Sequence, residues 1–162
     1  MLKTIELDAL KAVEYAKKWA FSRNPVYADF DGLGGDCTNF ISQCLFASGA
    51  PMNYTRDVGW YYRDLNDRAA AWSGVEFFYR FMTENKGVGP FGSVIPLAVA
   101  ERGDVIQLGD DTGFYHSLLV VDVLDGQPYV ASHTSDAFDR PLFSYMFDCC
   151  RVLRIRYAWQ NG

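Results

Sequence analysis

The sequence predicts an α+β fold in which helices from the first half of the chain pack on an antiparallel sheet from the second half. Apolar residues recur at helical spacing before residue 84. Four later segments are rich in β-branched and aromatic residues, and short turn signals separate the first three, which favours a meander of antiparallel strands. The 162 residues show no internal repeat or low-complexity linker, so we expect one domain covering residues 1–162.

Three helices are predicted. The first covers residues 6–20, the second runs from about residue 36 to 47, and the third begins at residue 73, where Ser-Gly-Val-Glu resembles a helix cap, and ends near residue 83. Residues 52–71 are expected to be irregular. Residues 84–98 are rich in Gly and Pro and predict a loop with at most one short strand.

Four strands are predicted from the segments GDVIQLG, FYHSLLVVDVL, PYVASHT and CRVLRIRYAW. Asp125-Gly126 is a turn signal that joins the second and third of these as a hairpin. His116 lies near the start of one strand and His133 near the end of the other. Since cross-strand neighbours have Cβ atoms about 4.5–5.5 Å apart, we expect the two imidazoles to be close and on one face of the sheet.

Composition and charge exclude several classes of protein. Hydrophobic residues make up 49% of the chain and aromatic residues 16%, which argues against disorder. The net charge of −5 and the absence of a basic patch argue against a nucleic-acid partner, and no apolar run is long enough to span a bilayer. The N-terminus lacks the features of a signal peptide. We therefore expect a cytoplasmic protein, or a piece of a longer secreted chain that acts outside the cell or at its surface; the sequence does not predict the oligomeric state.

The four cysteines do not form a pattern typical of disulfides. Cys37 and Cys44 share a predicted helix and lie roughly 10 Å apart along it, whereas bridged cysteines need Cα atoms within about 7 Å. Cys149 and Cys150 are adjacent and point to opposite faces of a strand. A strained redox pair at Cys149-Cys150 is a minor alternative. Cys44 lies deep in its helix and is expected to fill the core.

Cys37 is the candidate nucleophile. It follows Gly34-Gly35-Asp36, where two glycines allow the chain to turn sharply into a helix and Asp36 can cap the first turn. A helix N-terminus lowers the pKa of a thiol and offers unpaired N–H groups that can hold an oxyanion. A small buried cysteine is the alternative interpretation.

A cysteine nucleophile needs a base, and the chain has two histidines. We expect His116 to be that base and His133 to hold it in the correct tautomer, with Asp136 as a second candidate for the orienting group. Two satisfied core histidines are the structural alternative. A zinc site made from Cys37 and both histidines is a weaker one, because no close Cys or His pair is present, and no metal or cofactor is expected.

The motif DCTNF resembles the Asp-Cys-(Ser/Thr)-x-Phe signature that carries the nucleophile in NlpC/P60 and CHAP peptidases. Together with GGDCTNFISQCL, WYY at residues 60–62, GDVIQL, FYHSLLV and HTSDAFDRPL, it resembles the bacterial putative amidase domain family, which is similar to papain-like cysteine hydrolases. The resemblance covers essentially the whole chain and implies a papain-like (NlpC/P60-like) fold. It implies Cys37 as nucleophile, His116 as general base and then acid, and His133 as the orienting third member of a triad.

The resemblance also implies a substrate, which is an amide in a peptide, with bacterial cell-wall peptide as one candidate. The negative net charge and the absence of wall-binding repeats argue against the bacterial cell wall, which is anionic, as the substrate. We expect Asp36, Trp60, Tyr115 and Asp136 to contact substrate, although most aromatic residues of a small domain lie in its core. Two alternatives stay open, which are acyl transfer by the same nucleophile and a non-catalytic binding module in which Cys37 is inert.

Overall fold

Helices dominate the first half of the chain and strands the second half, as the sequence predicts. The computed structural model describes all residues from Met1 to Gly162. The helices are α1 (Ala9–Trp19), α2 (Cys37–Ala47), α3 (Ala70–Ser73) and α4 (Val75–Glu84). The strands are β1 (Leu2–Glu6), β2 (Tyr62–Asp64), β3 (Asp67–Arg68), β4 (Gly89–Ile95), β5 (Val105–Asp110), β6 (Gly113–Leu124), β7 (Gln127–Ser132), β8 (Ala137–Pro141) and β9 (Cys149–Asn161).

The N-terminus differs from its prediction, because a strand precedes the first helix. Residues Leu2–Glu6 pair with the end of β9 in antiparallel register. The helix begins only at Ala9, after the Asp8 carboxylate accepts hydrogen bonds from the N–H groups of Leu10 and Lys11, at 3.0 and 3.3 Å. No local pattern predicts β1, because its partner strand lies about 150 residues away along the chain.

Helix α2 is the central helix of the molecule. Every residue from Cys37 to Leu45 is buried, which is the pattern of a helix surrounded by protein on all sides. Its bounds agree with the prediction within one residue. The third predicted helix is also present, as α4, and the short helix α3 precedes it in a region predicted to be irregular.

One large antiparallel sheet contains most of the strands. Its order is β1-β9-β5-β6-β7-β8, and β4 pairs with β9 as well. The register of β4 overlaps that of both β1 and β5 on β9, so β4 lies along the opposite edge of this long strand. An α+β architecture with a large antiparallel sheet is therefore confirmed. Strand β8 and the hairpin of β2 and β3 were missed, since each is five residues or shorter.

The sheet separates two apolar layers. The four helices cover one face, where the core includes Phe40, Trp72, Leu119, Ala131 and Leu153. Segments that follow β4 and β8 cover the other face, where a smaller core includes Leu108, Leu118, Val120, Val130 and Leu142. Odd-numbered residues of β6 near Leu119 thus face the helices, and even-numbered ones face away. No helix of the chain is long and apolar enough to cross a membrane.

The hairpin of β6 and β7 contains a register irregularity that matters for the site. Near the turn, Leu124 pairs with Gln127, but farther along Leu119 pairs with Ala131, because Val121 is an extra residue on β6. Side chains alternate between the two faces of a strand. After an extra residue in one strand, each side chain of that strand therefore lies on the opposite face from the one that regular pairing would give it. Beyond Val121, residues that a regular hairpin would place on one face therefore fall on opposite faces.

Candidate active site

Cys37 is the first residue of α2 and is buried, with 7% of its surface exposed. Gly34 and Gly35 precede it with φ of 103° and 107°, a conformation that side chains with a Cβ rarely adopt. These glycines turn the chain into the helix as predicted. The Cys37 sulfur lies 3.8 Å from the Thr38 hydroxyl oxygen.

The expectation of a low pKa for this thiol is not met in the free protein. Burial raises the pKa of Cys37 above its ordinary value, although hydrogen bonds from the Ser117 backbone, the Thr38 hydroxyl and the Thr38 backbone act in the opposite direction. The helix terminus and these donors do not overcome desolvation of the charged form. The resting Cys37 side chain is therefore a neutral thiol.

The thiol lies at an edge of β6. The pairing of β6 with β7 ends at Leu119 and Ala131, so the start of β6 has no partner strand on that side. There the Ser117 backbone lies close enough to the Cys37 sulfur to act against the rise of its pKa. Since peptide N–H groups lie in the plane of a sheet, the sulfur lies at the strand edge, beside the peptide unit that joins His116 to Ser117.

His116 lies on the face of the sheet that the helices do not cover. It pairs with Leu108 across β5, and its partly buried ring is 5.9 Å from the ring of Tyr145. Burial, and secondarily the guanidinium of Arg140, lower the pKa of His116 to about 4. The imidazole is thus neutral at physiological pH and can accept a proton. No hydrogen bond joins it to the Cys37 sulfur in the free protein.

His133 faces the helices and does not contact His116. Its Nδ1 lies 2.5 Å from an Asp36 carboxylate oxygen, its Nε2 lies 2.7 Å from the Trp19 carbonyl oxygen, and its ring stacks on Phe40 at 4.0 Å. Both partners accept hydrogen bonds, so the ring satisfies both when both nitrogens carry a hydrogen. The expected contact between the two histidines is wrong, because the irregularity at Val121 places them on opposite faces.

Asp36 fixes the loop before α2 and does not cap the helix through its side chain. Its fully buried carboxylate accepts hydrogen bonds from the Phe30 backbone N–H and the Asn39 side chain, both at 2.8 Å, besides the bond with His133. No N–H of α2 reaches it, since ψ of 3° at Asp36 departs from the extended conformation of capping residues. The expected contact of Asp36 with substrate stays a prediction, and in this structure the carboxylate is enclosed by protein groups.

A buried polar network that the sequence analysis missed lies beside the thiol. The hydroxyls of Thr38 and Ser117 are 2.9 Å apart, and the Gln107 amide donates to Ser117 at 3.2 Å. Arg151 donates to the Gln107 carbonyl oxygen at 2.8 Å. A single glutamine inside the apolar segment GDVIQL was the available signal, since a polar residue in a buried strand needs hydrogen-bonding partners.

A family model and a curated relative match this chain. Residues 6–153 match the model of the family described as "Putative amidase domain". The chain belongs to this family. It is also 33% identical over 162 residues to an uncharacterized protein, YhbB, of Bacillus subtilis (strain 168).

That alignment covers 97% of this chain and 50% of YhbB, so the chain spans about half the length of the curated relative it matches. No solved structure matches the chain. Membership of the amidase-domain family suggests an enzyme that acts on an amide.

Asp136 of this amidase domain is bound to an arginine. Both of its carboxylate oxygens accept hydrogen bonds from Arg23, at 3.0 and 3.1 Å, and Asp31 bonds the same guanidinium at 2.5 Å. Asp136 therefore does not orient His116, contrary to that alternative. Instead, Arg23 joins the segment after α1 to the segment after β7.

The two aromatic residues expected to bind substrate have different environments in the amidase domain. Trp60 is fully buried, donates from its indole N–H to the Ser42 hydroxyl at 3.0 Å and packs on Trp72 at 4.8 Å. Trp60 is thus part of the core in this structure, and its contact with substrate stays a prediction. Tyr115 is 48% exposed beside His116, and its hydroxyl donates to the Met146 carbonyl oxygen at 3.3 Å.

Other features of the amidase domain lie apart from this site. A cavity of about 460 Å³ between the loop after α2 and helix α4 has Asn53, Phe77 and Arg80 in its lining, and none of the candidate residues lines it. No group of three or more His, Cys, Asp or Glu side chains is arranged to hold a metal ion.

Proposed function

We propose that this amidase domain is a cysteine-dependent amide hydrolase in which Cys37 is the nucleophile and His116 the general base. The observation that carries the proposal is the position of the thiol at the start of α2 and beside the open edge of β6, near the backbone of Ser117, which directly follows His116. The neutral imidazole of His116 is available to accept the thiol proton.

The proposed reaction has two stages. The Cys37 sulfur attacks the carbonyl carbon while its proton passes to His116, and the intermediate collapses when His116 gives this proton to the departing amine. Water, deprotonated by His116, then attacks the thioester carbon; the C–S bond breaks, His116 returns the proton to the Cys37 sulfur, and a carboxylic acid is released. Because thiol and imidazole are both neutral at rest, proton transfer accompanies the attack and no thiolate is formed beforehand.

The start of α2 would stabilise the negative oxygen of each tetrahedral intermediate. Cys37 is the first helical residue, and the first N–H groups of a helix have no partner within it. Removing one oxyanion donor typically raises the barrier by about 3–4 kcal/mol. In this proposal the backbone N–H of Cys37 is one donor.

His133 has a positioning role in the proposed enzyme, in place of the orienting role implied by family resemblance. It holds Asp36, the residue immediately before the nucleophile, and stacks on Phe40 one turn into the same helix. These contacts fix the direction of the Cys37 side chain. The order of a cysteine at a helix start followed by a histidine on a strand supports a papain-like arrangement.

The proposed substrate is a peptide amide, and bacterial cell-wall peptide is the candidate to test first. One specific observation favours a non-catalytic binding module instead, which is that Cys37 is 7% exposed and its pKa is raised. The two functions differ in whether Cys37 forms a covalent intermediate.

The test is hydrolysis of peptide amides and cell-wall peptide fragments by the wild type, Cys37→Ala and His116→Ala. Cys149→Ala is the matched control, because it removes an exposed thiol from the end of β9. We expect turnover and a mass-detectable acyl group on Cys37 in the wild type and the control, and neither in the other variants. Turnover by Cys37→Ala would disprove the mechanism. Added amine, if it diverts the acyl group from water, would identify acyl transfer.

A further inference from the structure

Arg140, near the end of β8, lies beside the candidate general base. Its guanidinium is 3.6 Å from the centre of the Tyr145 ring, and that ring is 5.9 Å from the ring of His116. Two hydrogen bonds to Ser144 hold the guanidinium in place, from Nε to the hydroxyl at 2.8 Å and from Nη2 to the carbonyl at 3.2 Å. The charge is close enough to lower the pKa of His116, second in effect to burial.

The guanidinium of Arg140 lacks an acidic partner. Arg23 and Arg154 each form ion pairs with neighbouring carboxylates, at 2.5 and 2.9 Å, but no carboxylate lies within 4 Å of Arg140. Acidic residues outnumber Lys and Arg by 20 to 15 in this chain, so a positive group without an acidic neighbour runs against its overall charge. The Nη1 atom of Arg140 has no hydrogen-bond partner within the protein.

We propose that Arg140 binds a carboxylate of the substrate, so that the substrate class is an amide with a carboxylate group near the bond to be cleaved. This inference rests on the proposed function. A planar guanidinium binds carboxylates through paired N–H groups, and stacking on Tyr145 fixes its plane. Peptides with Asp, Glu or a free C-terminus next to the scissile amide belong to this class.

The surroundings of Arg140 fit an extended ligand. Tyr115 and Met146 are 48% and 94% exposed, and a hydrogen bond from the Tyr115 hydroxyl joins them next to His116. They provide apolar surface beside the charge. A bound carboxylate would also offset the field of Arg140 at His116 and raise the pKa of that imidazole, which strengthens it as a base.

The experiment compares two alkylating reagents of similar size and different charge, iodoacetate and iodoacetamide. Mass mapping measures the labelling rate of Cys37 with each, and glutathione gives the intrinsic ratio of the two reagents. Variants are Arg140→Gln, which removes the charge, and Arg140→Lys, which keeps it. Arg102→Gln is the matched control, since Arg102 pairs with Asp122, about 20 Å along β6 from His116 at about 3.3 Å per residue.

We expect the normalised rate ratio of iodoacetate to iodoacetamide to fall at least fivefold in Arg140→Gln, and to stay near the wild-type value in Arg140→Lys and Arg102→Gln. An equal ratio in wild type and Arg140→Gln overturns the proposal, and so does an equal fall in Arg102→Gln. If the wild type hydrolyses amides but the rate ratio is the same in wild type and Arg140→Gln, the role of Arg140 is refuted and the proposed function is not. A ratio that depends on Arg140 in a protein without hydrolytic activity would refute the proposed function and leave the carboxylate site in place.

A second measurement does not depend on access to the thiol. The His116 ring resonance is followed by NMR against pH with N-acetylglutamate and with N-acetylglutaminamide, which carries no carboxylate. We expect the anionic ligand to raise the pKa of His116 in the wild type and to leave it unaltered in Arg140→Gln, while the neutral ligand has no effect. Absence of any difference between the two ligands in the wild type overturns the proposal.

Discussion

Replacing His116 by glutamine should make the folded protein less sensitive to acid. The imidazole is partly buried, and burial together with Arg140 lowers its pKa to about 4 in the fold, whereas an unfolded histidine has a value of about 6.5. Between these values the unfolded chain binds a proton that the folded chain rejects. Stability is therefore lost as pH falls below about 6.5, and the loss is complete below about pH 4.

The magnitude follows from the two pKa values of His116. Each pKa unit corresponds to about 1.4 kcal/mol, so the full interval between them is about 3 kcal/mol. At pH 4.5 the unfolded imidazole is almost fully protonated and the folded one is still mostly neutral. The wild type should therefore lose about 2 kcal/mol between pH 7 and pH 4.5 through this one group. His116→Gln should lose nothing at this position.

The assay is urea unfolding of the wild type and His116→Gln at pH 7 and pH 4.5, monitored by fluorescence of the buried tryptophans. All other titratable groups are common to the two proteins, so the difference between the two pH dependences isolates His116. Any pH-independent cost of the substitution cancels in the same way. Identical pH dependences in the two proteins would refute a buried neutral imidazole at residue 116.

Three further predictions concern the thiol and the residues that hold it. Alkylation of Cys37 by iodoacetamide should rise with pH along a curve displaced to higher pH than that of glutathione, because burial raises the pKa of Cys37; a curve displaced to lower pH contradicts this. Thr38→Val removes a hydroxyl that stabilises the Cys37 thiolate, so it should slow alkylation at fixed pH. It should also lower the free energy of unfolding by about 1–2 kcal/mol, whereas Thr38→Ser should change neither quantity. Asp36→Asn should destabilise the protein by about 3 kcal/mol or more in urea unfolding, because it breaks a buried pair with His133; a loss below about 1 kcal/mol would show that this pair is not needed.

Much of the fold was predictable because its signals are local. Helix α2 follows from two glycines, an apolar run and a glycine after its last turn, all within about 15 residues of sequence. The long strand β6 follows from a run of β-branched and aromatic residues. The location of Cys37 at the start of α2 could therefore be predicted from its sequence neighbours alone.

The errors concern contacts between distant residues. The irregularity at Val121 separates His116 from His133, and no residue at this point in the strand predicts an extra one. Trp60 was expected in the cleft, but composition cannot distinguish a core aromatic from an exposed one. Asp36 stands at a typical capping position, and its bond with His133 depends on a segment 97 residues away.

The extra residue at Val121 also makes two sets of mutations energetically separable. Asp36 and His133 bond each other on the helical face, while His116 and Arg140 interact on the other face, and the two pairs have no common partner. Free-energy changes of unfolding from one pair should therefore add to those from the other. Cys37 contacts both groups, through Asp36 by chain connection and through the peptide unit of His116, and is where non-additive effects should appear.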